Sequence, residues 1–242
     1  MSLLALKIAY LSLTWAVILL LWYGGSKAFN ATTTDQATAA RKRTLLIAGL
    51  VLWQAYVYLV TFSGVLNNFE FPPRFFLLLI LPLFVFTGIF AYRHRNAAWL
   101  RSIPAHWLIF FQSFRILVEF LFVASVAQGI LNPEVSIEGY NYDMVFAFTA
   151  PIVGYMAYRK WLSVRLLRLW NYLGLAVIAS IIFVFMSCLF NPQLFGSDTV
   201  LLPAAAVTYP YVLVAGFLMP AAVFGHVLFL VGARNSELGT RG

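Results

Sequence analysis

Three polar side chains, Gln112, Arg115 and Glu119, interrupt the otherwise hydrocarbon stretch that runs from Trp107 to Ser125. Spaced at i, i+3 and i+7, they fall on one stripe of a helix. An arginine near the centre of a membrane-spanning helix costs roughly 2.5–3.5 kcal/mol on insertion scales, so that stripe must meet protein or water rather than lipid. Glu119 lies one turn from Arg115, but the base precedes the acid, the weaker order for an intrahelical pair. Partners from other helices are therefore expected. Such a group supports two kinds of role: a midplane site for an ion, a proton or a small polar solute, or a paired network that only fixes helix packing.

Other polar groups reach a similar depth. Gln54 and Tyr58 do so from the second apolar stretch, and Tyr10, Ser12 and Thr149 from the first and fifth. Pro82, Pro151 and Pro220 stand near the centres of the third, fifth and seventh stretches and predict helix kinks. Each proline frees the carbonyl four residues earlier, at Leu78, Ala147 and Gly216, and the five N–H donors of a guanidinium are one means of satisfying them.

The remaining chemistry-bearing residues predict less. His106 and His226 fall at different depths toward one side, which disfavours a bis-histidine haem, and His94 sits among Arg93 and Arg95 as a loop residue. The seventh stretch has no lysine for a retinal Schiff base. No cofactor is expected, and the purified protein should be colourless. Glu134, Glu138 and Asp143, with Asn141, match no calcium-loop spacing and read as a solvated acidic loop; no metal site is expected. The single Cys188 has no disulfide partner and reads as a small buried thiol. There is no phosphate-binding glycine loop and no nucleophile elbow, so an enzyme is the less favoured reading.

The elements that would hold these residues follow from composition. Of 242 residues, 62% are hydrophobic and only 10% charged, with a mean hydropathy of +0.87. A soluble chain has roughly a quarter of its residues charged. Apolar runs near the ~20 residues that cross a hydrocarbon core predict an all-α, seven-helix bundle forming a single integral membrane domain over 1–242, with spans at about 3–23, 44–66, 73–92, 105–127, 143–159, 169–190 and 208–232. No alternating pattern suggests a barrel.

The net charge of +8 is distributed with a side. The first, third and fifth connections and the C-terminal tail hold thirteen of the sixteen Lys and Arg. The second, fourth and sixth hold Arg74 as their only base, with Glu70, Glu134, Glu138, Asp143 and Asp198. The positive-inside rule then places the N-terminus outside and the C-terminus in the cytoplasm, with the plasma (inner) membrane as location. The bases explain attraction to anionic lipid headgroups, and nucleic acid is not expected as a partner. The first stretch lacks a basic n-region and a small-residue cleavage site, so it reads as a span rather than a signal peptide.

Residues 24–43, small and polar, predict a mobile loop, and residues 159–170, where bases alternate with Trp and Leu, an inner-surface segment. Phe90–His94 and Met156–Lys160 resemble one another only weakly, and their differing distances from Pro82 and Pro151 argue against duplication. Two functions remain open: a transporter or channel-like protein for an ion or small polar solute, centred on Gln112, Arg115 and Glu119 with Gln54 and Tyr58, or a non-catalytic scaffold bound to a protein partner in a larger membrane complex.

Overall fold

A computed structural model describes residues 1–195 and 204–238 of the chain. Asp198 and Arg241, both used in the charge count, lie outside the described residues. Every long element is helical: α1 Leu3–Thr32, α2 Gln36–Phe62, α3 Leu81–His94, α4 Ala98–Ser102, α5 Ala105–Phe111, α6 Phe114–Val126, α7 Asp143–Tyr158, α8 Val164–Phe190 and α9 Met219–Leu238. Among the described residues, six helical segments are long and apolar enough to cross a membrane: α1, α2, Phe76–His94, the α5–α6 unit Ala105–Val126, α8 and Val214–Gly232.

The fifth expected span is the exception. With 16 residues, α7 is about 24 Å long, short of a ~30 Å hydrocarbon core. Its N-terminal Asp143 is bonded to Arg115, which stands mid-way along the α5–α6 unit. The helix therefore begins deep, and the preceding segment folds inward to meet it. Val135 and Ser136 are fully buried there, and the Tyr140 and Asn141 amides donate to the Glu134 and Ser136 carbonyls. The acidic loop expected to be solvated is in part an internal plug.

Residues 24–43 also depart from expectation. α1 continues to Thr32 and α2 starts at Gln36, so only a three-residue break separates them. Asp35 caps α2 by accepting from the Ala37 and Thr38 amides, and Lys42 reaches back to Thr33 Oγ1. A carboxylate N-cap followed by good helix formers is enough to restart the helix at once.

Burial divides the helices into inner and outer sets. In the apolar window of Val214–Gly232, 56% of residues are buried, and in Ala105–Val126 50%, against 11% in α2. α9 is central, packing against α3, α4, α5 and α8, while α7 packs against α5, α6 and α8. α2 lies outside and packs along α1.

The prolines act through π-turns. Phe76–Ile80 precedes Pro82 and Val214–Leu218 precedes Pro220, each a single π-helical segment, and the two pack against one another. The freed carbonyls are satisfied from α2: Tyr56 Oη donates to Leu78 O at 3.1 Å and Trp53 Nε1 to Gly216 O at 2.7 Å. The two rings touch, with centroids 4.9 Å apart. The donors are thus an aromatic pair rather than the expected guanidinium, because Arg115 is engaged elsewhere. Pro151 lies inside α7 without a π-turn.

Candidate functional site

Between α5 and α6 the helix tightens: the amides of Gln112, Arg115 and Ile116 donate to carbonyls three residues back. Gln112, Arg115 and Glu119 are each at most 2% exposed, so the polar stripe faces protein throughout.

Arg115 does not pair with Glu119. Its Nε and Nη2 donate to the two oxygens of Asp143, a bidentate fork, with the Nε–Oδ2 distance 3.1 Å. Its Nη1 lies 3.1 Å from His226 Nε2, and its guanidinium stands over the Phe146 ring, 5.2 Å from the centroid. His226 Nδ1 is 2.8 Å from Asn171 Oδ1, and Asn171 Nδ2 donates to the Leu167 carbonyl at 2.8 Å. One polar chain therefore joins α6, α7, α9 and α8.

The tautomer of His226 follows from that chain. Asn171 gives its amide hydrogens to a carbonyl, so its oxygen faces Nδ1, which must carry the proton; Nε2 is then the acceptor for Arg115. His226 is neutral, and both of its ring nitrogens are used. A haem iron has no free nitrogen there, and His106 lies apart, against Phe110 and Tyr158.

Glu119 is held separately. Asn141 Nδ2 lies 3.2 Å from each carboxylate oxygen and 3.2 Å from the Val135 carbonyl, while Asn141 Oδ1 accepts from the Asp143 amide at 2.9 Å. Asn141 thereby ties the inward-folded segment to α6 and fixes the start of α7. Further along α6, Tyr10 Oη and Ser125 Oγ are 2.9 Å apart.

Close packing makes room for these groups. A Cβ on Gly174 would run into the His226 ring, and one on Gly225 would come within 2.6 Å of Gln112 Nε2. Gln112 Nε2 donates to the Ala222 carbonyl at 3.1 Å, and its Oε1 has no protein partner.

The other expected positions lie away from the network. Gln54 is buried on α2 with Nε2 unpartnered, whereas Tyr58 is 45% exposed, tilted against Phe62 and edge-on to Tyr209. Thr149 accepts from Trp170 Nε1 at 2.8 Å. Ser12 is exposed. Sequence reasoning missed Asp143, Asn141 and Asn171 as partners. A signal existed for Asp143 and Asn141, two polar residues just before an apolar run too short to span.

Part of this network lines a cavity of about 110 Å³. Arg115, Glu119 and Asp143 contribute to its lining together with Tyr10 and Tyr211, and the other lining residues are aliphatic, aromatic or Met. Both π-turns reach the wall, through Ile80 and through Val214, Ala215 and Leu218. An apolar cavity of about 150 Å³ takes a benzene ring, so this smaller one takes at most a single ring or a short alkyl chain. Among the described residues, no three His, Cys, Asp or Glu side chains converge to hold a metal ion.

No protein-family model matches the chain, and neither a curated protein nor a solved structure is significantly similar to it. The architecture is compatible with a class, the helical multi-pass membrane proteins: among the described residues, six helices are long and apolar enough to span, and they enclose a buried ionic network.

Proposed function

We propose that the chain crosses the plasma (inner) membrane seven times, N-terminus outside and C-terminus cytoplasmic, and that it is a carrier whose binding site has the Arg115 network as its floor. The fifth passage is α7 together with the buried segment before it, and this supports counting seven transits from six full-length helices. The charge bias of the connections supports the direction. On the inner side, exposed Arg93, Arg95, Arg159 and Lys160 stand beside Tyr92 and Trp161, with Arg159 5.3 Å from the Trp161 ring centroid, an arrangement suited to anionic headgroups. An impermeant maleimide should label Gln128→Cys but not Asn96→Cys in intact cells, Cys188 being fully buried. The reverse pattern refutes the orientation.

One observation carries the carrier reading: a largely apolar cavity has a buried ion pair and a further carboxyl group in its wall. Hydrocarbon walls do not suit a fully hydrated ion or a sugar-like solute, so the expected ion or polar solute narrows to a small amphiphile, its apolar part in the cavity and its polar end on the floor. The test uses ¹³C-methyl isoleucine NMR in nanodiscs. Ile80, Ile130, Ile178, Ile181 and Ile182 line the cavity, whereas Ile89 and Ile152 face outward and report partitioning into lipid. Titrated toluene should shift the first set with saturation and leave the second near its lipid baseline. Equal, unsaturable shifts in both sets refute a binding site and leave the network a structural role in a scaffold.

A further inference from the structure

Resting on the reading that the cavity binds a small amphiphile, we infer that the occupant's polar end is a cation, an organic ammonium. The inference comes from counting charge and donors at the floor. Arg115 is the one positive group, and its Nε, Nη1 and Nη2 are already directed to Asp143 and His226. His226 is neutral by its hydrogen bonds to Asn171 and Arg115. Two carboxyl groups, Glu119 and Asp143, face the cavity against that single guanidinium. Asp143 takes it, and Glu119 is a buried carboxyl group with no cationic partner.

Acceptors are in excess too. Both oxygens of Glu119 share one amide nitrogen, at 3.2 Å, although a carboxylate has about four lone-pair sites. An incoming anion would meet two carboxyl groups and a guanidinium whose fork is taken. An incoming ammonium would meet a carboxyl group with unfilled lone pairs and no other cation to pair with. The walls select what kind of cation. Tyr10, Phe75, Phe114, Phe122, Phe185 and Tyr211 line the cavity, and aromatic faces hold an ammonium that has lost its water far better than they hold an anion. An alkali ion would find few oxygens above the floor to replace its hydration shell. At about 110 Å³, the apolar body is limited to roughly one ring or a short chain.

The experiment compares three probes of nearly one shape and different charge: benzylammonium, toluene and benzoate, each titrated onto the full chain in nanodiscs and read on the cavity isoleucine methyls against Ile89 and Ile152. The expected order is benzylammonium tightest, by about ten- to a hundredfold over toluene given the size of a charge–charge interaction over several ångströms in a partly shielded site, with benzoate weakest. Glu119→Gln, which keeps the shape and the oxygen facing Asn141, should remove most of the cation's advantage while leaving toluene affinity as it was. The order is read on the parent protein, so it decides the matter even if that variant fails to fold. Toluene binding as tightly as benzylammonium, or benzoate binding more tightly, overturns the cation assignment while the amphiphile site stands. Saturable shifts from none of the three overturn the site itself, and the cation with it.

Discussion

The assignment of Asp143 as the partner of Arg115 is open to a direct energetic test. Arg115→Leu would leave the Asp143 carboxylate buried with only its backbone surroundings, and Asp143→Leu would leave the guanidinium with only His226 and the Phe146 ring. Each side chain is almost wholly inaccessible, at 3% and 8%, so solvent cannot repair the loss. Breaking one half of a buried pair costs about 3–5 kcal/mol, while replacing both halves by apolar groups of similar volume is often nearly neutral. The double variant should therefore be more stable than either single one, with a coupling energy of about 3 kcal/mol between the two positions. Glu119 makes no hydrogen bond to Arg115 and is held by Asn141, so the Arg115/Glu119 cycle should give a clearly smaller coupling than the Arg115/Asp143 cycle. Both cycles are measured by reversible unfolding in mixed micelles, with loss of helical signal as the readout. A coupling at Arg115/Glu119 equal to or larger than that at Arg115/Asp143 would refute the network as drawn, as would single variants as stable as the parent.

Other perturbations reach different parts of the structure. Trp53→Phe or Tyr56→Phe strips the donor from a proline-freed carbonyl and should cost about 1–3 kcal/mol, seen as lower unfolding midpoints; no change would mean that those carbonyls have other partners. Gly174→Ala drives a methyl into the His226 ring and should destabilise by about 1–3 kcal/mol, with the His226 ring resonances displaced. The Thr38 hydroxyl, followed by the Thr38 and Ala37 amides, holds the Asp35 carboxyl below its ordinary range. Its capping contribution is thus complete above the usual aspartate value and is lost as pH falls through the lowered one. Amide exchange at Ala37 and Thr38 should accelerate in that acid window in the parent and be fast at all pH values in Asp35→Ala.

What the sequence determined on its own was whatever a helix determines locally. Backbone periodicity put Gln112, Arg115 and Glu119 on one stripe, and the length of apolar runs marked the helices. Proline chemistry named Leu78 and Gly216 as carbonyls in need of donors. Tertiary structure decided who answers them. Asp143 reaches Arg115 because the segment before α7 folds inward, so a residue that reads as loop becomes a buried acid. His226 and Asn171 meet because Gly174 lets α8 and α9 close over an imidazole. Trp53 and Tyr56 reach two different kinked helices from a helix that is otherwise mostly exposed. These choices were illegible in one dimension for a physical reason. In a soluble protein the apolar face of a helix is the buried one, but lipid solvates leucine as well as a protein core does. The apolar residues of α2 and α9 therefore read alike, although one helix lies at the rim and the other at the centre. Only the polar residues carry a demand for protein, and which partner meets each demand depends on how the faces pack.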